Sequence, residues 1–516
     1  MQRQTRLSTR RGAASQRANA VGWILWFIVP AVVSCAALLC ILSFVLTLEN
    51  ETPSLETPQE FSVSLPKNLI ERPKEEGTKI MMKSTRSDNR EPPKQIISQR
   101  HDEPIVIAYA ISLIKCGDFQ SSTAGLQDAA LVLKHSIHQT SVRNPHSGSQ
   151  YDYKAYAIVH RQAEKCAQEL ADAGYELVIR DPPVDKSEIR GEFLRKKIHK
   201  EWCCGADEFV KLYAYHLTEH PIVVHVDIDF VFHQPMDDLF DAMLDTGEKG
   251  ALARSRIPRE RPNEMWPETV NAYMTRDWGQ VMPGRKALFQ AGFLVVRPDP
   301  SVFDQIVEVI KEGHYVEGFS RNNGWGGLGY GSLVGAMAAQ GLIAYVYDTL
   351  FNNTWVELNQ CRYNHMGMDV LYRSQPSFRN KHPKVGKCRN DLDYCEDCQV
   401  TDIEKIYNIH YTQCRKPWNC IGEGDSTAFE KSSIPEDSVK LDHCMELLTV
   451  WHSMRSSLET QLYELTGDEV IKQGRLGTYK NQVFQGHCKA NGQSHYLPLS
   501  MKPEYRKRMK ELYKQM

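Results

Sequence analysis

The sequence predicts an α/β protein with a mostly parallel sheet and flanking helices, preceded by an N-terminal transmembrane helix and followed by a helical extension. Three observations predict it. Runs of β-branched residues alternate with stretches of helical periodicity from residue 104 onward. Residues 22 to 47 carry no charged side chain. Past Cys420 the chain becomes a long amphipathic helical pattern, "KLDHCMELLTVWHSMRSSLETQLYEL", at 440 to 465. Strands that alternate with helices build a mostly parallel sheet covered on both faces.

Length, composition and charge narrow the class. A chain of 516 residues exceeds one ordinary domain. A 41% hydrophobic and 24% charged composition is globular. A net charge of −2 gives no reason to expect nucleic acid as a partner.

The N-terminus points to a membrane. About 20 apolar residues span a bilayer as helix, and the run 22 to 47, with Trp23 and Trp26 at its start, is longer than that. Arg3, Arg6, Arg10, Arg11 and Arg17 precede it, and Glu49 and Glu51 come after it. This asymmetry predicts a cytosolic tail over 1–20, an anchor over 21–47 and everything beyond it in a lumen, as a single-pass type II protein of the Golgi membrane. A cleaved signal peptide would have a shorter apolar region, of about 7–15 residues. Residues 48–102, with "ETPSLETPQE" and "DNREPPKQ", are polar and proline-rich and read as a stem.

The head is expected over 103–420. "PIVIAYAISLI" (104–114) opens it as a strand, followed by a helix at 125–139, a strand at 153–160, a helix at 163–174 and a strand at 175–180. A helical stretch over 206–220 leads into the strand "PIVVHVD". Later come a strand within 287–300, a helix at 301–313, a glycine-rich loop at 322–332, a helix at 333–341 and a strand at 342–348. The extension, 421–516, has an apolar stripe of Leu441, Met445, Leu448 and Trp451 that would pack on the head. A role in a homodimer contact or in acceptor binding is also compatible with it.

Twelve of the 14 cysteines come after the apolar run, an even number in a translocated region, which favours disulfides over the alternative of zinc at "CRNDLDYCEDC" (388–398). Connectivity is not legible. Of two glycosylation sequons, Asn50 lies against the membrane and Asn352 is the better candidate.

The chemistry concentrates in "HVDIDF" (225–230). Asp227 and Asp229 sit one residue apart where a buried strand should end. Helix capping or solvation in a turn is the alternative reading. In an α/β sheet, however, ligands bind at the carboxyl ends of strands, and there the backbone turns so that both carboxylates reach one hard cation. Oxygen ligands suit Mg²⁺ or Mn²⁺, which keep positions open for substrate phosphates. A second constellation, "HYTQCRKPW", places His410 and Lys416 six residues apart. An imidazole completes a metal shell, and a lysine meets phosphate as a point charge.

These elements, in this order, resemble glycosyltransferase family 8, the glycogenin-like enzymes. The family's DxD at a strand end is matched by "VDID", its HxxGxxKPW by "HYTQCRKPW", its NAG by "QAG" (290–292) in part, and its lysine before the DxD by Lys211 in "VKLYAYHL". The resemblance covers about residues 104 to 420. It implies a GT-A fold, a UDP-sugar donor, a glycan or glycoprotein acceptor, retention of anomeric configuration, and Mn²⁺ (or Mg²⁺) held by Asp227, Asp229 and His410. It also implies donor contacts from Ala108, Tyr109, Lys211, Ile228, Gln290, Ala291, Gly292 and Lys416, and it names no general base. Gln413 stands for a family glycine, Gln290 for an asparagine, and Gly329 and Tyr330 for an acidic "DQ" pair. These departures motivate a second hypothesis, a nucleotide- or glycan-binding protein without catalysis. A calcium-binding adhesion module, with "MDDLFD" (236–241) lending carboxylates, is a third. Trp325 and Tyr330 are expected either to stack on sugar or to pack inside.

Overall fold

A computed structural model of the chain describes residues 103–116, 123–200, 205–277, 286–318, 321–331, 335–367, 396–420, 441–467, 487–488 and 495–499. The chain forms two units, Met1–Ile97 and Ser98–Met516. The first lies wholly outside the described residues, and with it the expected tail, anchor and most of the stem. No helix among the described residues is long and apolar enough to cross a membrane. The C-terminal end of the expected helical extension, residues 500–516, also lies outside them.

The second unit is built on a seven-stranded sheet. Its strands are β1 (Val106–Leu113), β2 (Asp152–His160), β3 (Glu176–Arg180), β4 (Val223–Val226), β6 (Ala272–Arg276), β7 (Phe289–Val296) and β10 (Trp355–Glu357), in the order β10-β6-β7-β4-β1-β2-β3. Parallel pairing joins β1 to β2, β1 to β4, β2 to β3 and β10 to β6. Only β7 runs against its neighbours β4 and β6. The mostly parallel sheet expected from alternation is therefore present. Its central strands are buried on both faces, the burial a parallel sheet under helices requires. Two ribbons lie outside it: β5 (Phe230–Phe232) with β11 (Asn408–His410), and β8 (Tyr315–Val316) with β9 (Gly324–Trp325).

The four longer α-helices are α1 (Thr123–Gln139), α2 (Pro300–Glu312), α3 (Ala339–Thr349) and α4 (Leu441–Thr466). Local chemistry sets α2 clearly. Asp299 caps its N-terminus by accepting from the Ser301 N–H at 2.8 Å, Pro300 opens it, and Gly313 ends it in the left-handed region at φ +63°. One apolar core lies on the sheet face that carries α1 and α4, and a second on the face that carries α2, α3 and the 3₁₀ segment Gly205–His216.

Three expected elements differ: first, the helix expected over 333–341 is a turn and bend at 335–338, and α3 begins only at Ala339. Residues 342–348, expected as a strand, form most of α3. The run is apolar on every side because the helix is buried, and a short apolar run does not reveal its period. The helix expected over 163–174 is broken into a 3₁₀ turn, Arg161–Cys166, and a short helix, Gln168–Asp172, with the disulfide partner of Cys116 at the break.

Disulfides join Cys116 to Cys166, Cys361 to Cys398, Cys414 to Cys444 and Cys420 to Cys488. Cys398, from the motif weighed for zinc, is thus a disulfide partner. Cys203, Cys204, Cys388 and Cys395 lie outside the described residues. Two of the bridges tie the segment after β11 to α4 and to the turn at 488. Helix α4 is itself core: Leu447, Leu448, Trp451 and Leu458 are fully buried and join the cluster that contains α1.

Trp451 stands between Trp418 and Tyr496, each 6.2 Å away by ring centroid. Trp451→Ala is expected to destabilise the folded chain by about 3–5 kcal/mol, read as a lower urea midpoint. A midpoint unchanged from wild type would show that α4 is not integral to the head.

Candidate metal centre at the end of β4

The sheet delivers two carboxylates and an imidazole to one point. The chain leaves β4 at Val226, turns through Asp227, Ile228 and Asp229, and re-enters pairing as β5. Strand β11 runs antiparallel to β5 with His410 opposite Phe230. The Tyr411 N–H donates to the Asp229 carbonyl at 2.9 Å, which fixes the turn to the segment that carries the histidine. On the other side, the Asp227 N–H donates to the Gly292 carbonyl at 3.0 Å, continuing the β4–β7 pairing.

Each aspartate divides its two oxygens. Asp227 accepts from Lys211 Nζ through Oδ1 at 3.0 Å and turns Oδ2 toward His410 Nε2, 4.0 Å away. Asp229 accepts from Lys416 Nζ through Oδ2 at 2.6 Å and turns Oδ1 toward the same Nε2, 3.5 Å away. One ligand atom from each of Asp227, Asp229 and His410 lies within 4.8 Å of the other two. Among the described residues no other His, Cys, Asp and Glu group of three meets that criterion.

The imidazole is held with a lone pair facing the carboxylates. Asn364 donates through Nδ2 to Thr275 Oγ1 at 2.7 Å, which turns its Oδ1 to His410 Nδ1 at 2.9 Å. Nδ1 therefore carries the proton, and Nε2 points its lone pair at two carboxylate oxygens. Three acceptors aimed at one point repel one another unless a cation stands between them. The donor set, two hard oxygens and one imidazole nitrogen, fits Mg²⁺ or Mn²⁺. Octahedral ligands about 2.1 Å from such an ion lie about 3 Å apart, and the three atoms, all within 4.8 Å of one another, need close by less than about 2 Å.

Charges around the cluster are paired. Lys211 is buried, and burial disfavours its ammonium, but Asp227 and Glu208 (2.9 Å) overcome that and raise its pKa above the ordinary value. Burial likewise pushes the Asp229 carboxyl up, and the Lys416 ammonium overcomes it, holding the group well below the usual carboxylate range. Both residues are thus ionised. Three carboxylates, counting Glu208, face two ammoniums. A divalent cation would turn this cluster from net anionic to net cationic, the sign a diphosphate requires. Beneath it, His225 is fully buried on β4 with Nε2 2.8 Å from Ser112 Oγ, and burial, reinforced by Lys211, lowers its pKa to about 3, so it stays neutral.

The other expected site residues fall into two groups. Gln290, Ala291 and Gly292 sit at the entry of β7 beside the cluster. Gln290 Oε1 accepts from the Gly292 N–H at 2.7 Å, and a Cβ on Gly292 would stand 2.6 Å from His410 Cε1 and 2.7 Å from Asp227 Oδ2. Glycine is required there for close approach. Ile228, half-buried, packs on the core. Ala108 and Tyr109, by contrast, lie inside β1, in register with Val223 and Val224. Ala108 is 0% exposed and Tyr109 7%. Continued past Ala110 and His225, the register brings Ser112, not these two, level with Asp227. Asn352 is exposed on the turn between α3 and β10.

Trp325 and Tyr330 pack inside and are closed to sugar. Both are 0% exposed, with Trp325 Nε1 donating to the Ala336 carbonyl at 2.8 Å and the Tyr330 hydroxyl to Asp348 Oδ2 at 2.8 Å. Sequence reasoning missed Glu208, Asn364 and Gln340, whose Oε1 accepts from the Ala291 N–H at 3.3 Å. The one local signal among them is conformational: Asn364 has φ +51°, a left-handed backbone that asparagine tolerates best after glycine.

No protein-family model matches the chain, and no curated protein sequence does. Solved structures with a similar layout include the WbbM bifunctional glycosyltransferase, at 14% identity and TM-score 0.31 over 67% of this chain and 50% of that one. Mouse xyloside xylosyltransferase 1 aligns at 10% identity and TM-score 0.32, over 60% of this chain and 98% of its own. The galactosyltransferase LgtC, solved with donor and acceptor sugar analogues, aligns at 13% and 0.31, over 67% and 96%. The chain spans only half the length of WbbM. At scores this low the functional reading rests on the site itself.

Removing the Asn364 amide should release the imidazole. Asn364→Ala is expected to weaken Mn²⁺ binding by about 10–100-fold with the fold retained by circular dichroism, while Asn364→Asp, which keeps an acceptor for Nδ1–H, should lose less. Equal Mn²⁺ affinity in wild type and Asn364→Ala, by calorimetric titration, would remove His410 from the metal shell.

Proposed function

We propose that this chain is a metal-dependent glycosyltransferase of the glycogenin-like, family 8 kind, moving a sugar from a UDP-sugar to a glycan, protein or lipid acceptor with retention. The proposal includes its placement in the Golgi membrane, with residues 21–47 as anchor and the head in the lumen. The observation that carries the enzymatic reading is the convergence of Asp227 Oδ2, Asp229 Oδ1 and His410 Nε2 at the carboxyl end of β4, flanked by two ammoniums.

In this reading Asp227, Asp229 and His410 hold Mn²⁺ or Mg²⁺, and the ion, when bound, neutralises charge that develops on a departing diphosphate. Lys416 donates both to Asp229 and to the Tyr411 carbonyl at 2.6 Å, half-buried at the rim of the cluster. It is the ammonium placed to receive phosphate oxygens. Lys211, buried and bonded to Glu208 and Asp227, also positions the first aspartate. The buried, neutral His225 and the core beneath exclude water from that side. We name no general base.

The second reading, a binding protein without catalysis, draws on Gln413 and on the interior packing of Tyr330. The calcium module has lost its support, since the extra acidic residues are engaged elsewhere: Asp237 accepts from Ser149 and the Gln150 N–H, Asp238 from Arg256, and Asp241 from Tyr151 and Lys249.

The test is turnover of UDP-glucose, UDP-galactose, UDP-N-acetylglucosamine and UDP-glucuronate by the full chain in detergent with Mn²⁺. One donor should be consumed, and Asp229→Asn should lower its turnover by about 10²–10⁴-fold, the several kcal/mol a metal supplies, with the melting temperature near wild type. Binding of UDP and Mn²⁺ with no turnover of any donor supports the second reading. Undiminished turnover in Asp229→Asn, or in excess chelator, contradicts the metal-dependent mechanism.

A further inference from the structure

We propose that a second site, at the β10 edge of the sheet, binds carbohydrate. It is a cavity of about 610 Å³ between the C-terminal end of α3, strand β10 and the loop 259–268. That loop closes over the edge through the bridge between Arg259 and Leu358. Strands in a sheet are about 4.8 Å apart, so β10, three strands from β4, lies about 15 Å across the sheet from it. Neither the metal reading nor the core needs the cavity.

Its lining is built, not incidental. Arg276, only 11% exposed, donates to Asp348 Oδ1 at 2.7 Å, approaches Glu357 Oε2 at 3.4 Å, and lies 5.0 Å over the Trp355 ring. The Tyr330 hydroxyl fixes the other oxygen of Asp348. Arg259 lies 4.6 Å over Trp266, and Arg261 pairs with Glu264 at 2.9 Å while its buried Nε has no hydrogen-bond partner among the described residues. Arg259 also donates to the Glu264 and Pro262 carbonyls at 2.7 and 2.6 Å; these bonds and the indole hold the guanidinium plane still, so its remaining N–H donors are presented in a fixed direction.

The chemistry of this lining selects a neutral polyol. Four carboxylates against three guanidiniums disfavour an anion. No cluster of metal ligands occurs there among the described residues. Directed donors, directed acceptors and two indoles together suit a pyranose, whose hydroxyls both give and accept hydrogen bonds and whose C–H faces pack on aromatic rings. A second observation points the same way. Asn352, the exposed sequon residue, lines the cavity itself, and Asn353 turns the chain at its mouth with φ +61°. The carbohydrate therefore has two sources: a glycan carried on Asn352, or a separate glycan from solution. The choice of carbohydrate as ligand class rests in part on the transferase reading.

The experiment is saturation-transfer NMR with chitobiose, lactose and α-mannobiose as probes. They are added to the full glycosylated chain from secretory expression and to its Asn352→Gln variant. Binding to both proteins shows a site open to external glycans. Binding to Asn352→Gln alone shows a site covered by the chain's own glycan. Either result supports the site if Trp266→Ala or Arg261→Gln, made in the protein that binds, weakens binding by about tenfold and leaves donor turnover unchanged. No probe binding to either protein overturns the inference, as does binding that neither substitution weakens. Probe binding without donor turnover defeats the transferase reading alone, and turnover without probe binding here defeats this inference alone.

Discussion

The feature on which the rest depends is the convergence of three lone pairs at the end of β4. Two carboxylate oxygens and one imidazole nitrogen aimed at a common point are electrostatically costly unless a cation joins them. The fold holds them there through the two lysines: each takes one oxygen of its aspartate and leaves the other directed at His410. Those ion pairs set the carboxylate rotation, and the Asn364 amide sets the imidazole.

Every element near the cluster answers to that requirement. Strand β7 runs against the sheet's prevailing direction, so that its entry, Gln290–Gly292, lies beside the exit of β4. Gly292 admits His410 Cε1 where any side chain would collide. The β5–β11 ribbon returns a distant segment to the site, and the disulfides of Cys414 and Cys420 fasten the chain beyond β11 to Cys444 in α4 and to Cys488. The close approach of Gly125 to Trp418, where a Cβ would stand 2.5 Å from the indole, brings α1 against the segment that carries Lys416. Helix α4 therefore supports the metal site from behind, through packing on Trp418 and α1.

Much of this is legible in the sequence, for identifiable reasons. Alternation of period 2 and period 3.6 marks the parallel strands and their helices. Charge directly after a buried run marks Asp227 and Asp229. Alternation carries no register, so the sequence does not show that Ala108 and Tyr109, named as donor contacts by the resemblance alone, lie inside β1 opposite Val223 and Val224. Uniformly apolar residues hide their period, so α3 looks like a strand until its packing is seen. Glu208 and Asn364 serve the site only through partners distant in sequence, and nothing local distinguishes them beyond the left-handed backbone of Asn364. Disulfide pairing, set by three-dimensional proximity, is closed to sequence reasoning altogether.

The central claim is most directly tested by pulsed electron paramagnetic resonance of the full chain loaded with one equivalent of Mn²⁺. The account predicts electron spin-echo modulation from a single directly bound imidazole nitrogen, lost in His410→Gln. Modulation from no nitrogen, or a nitrogen signal that survives that substitution, would contradict it.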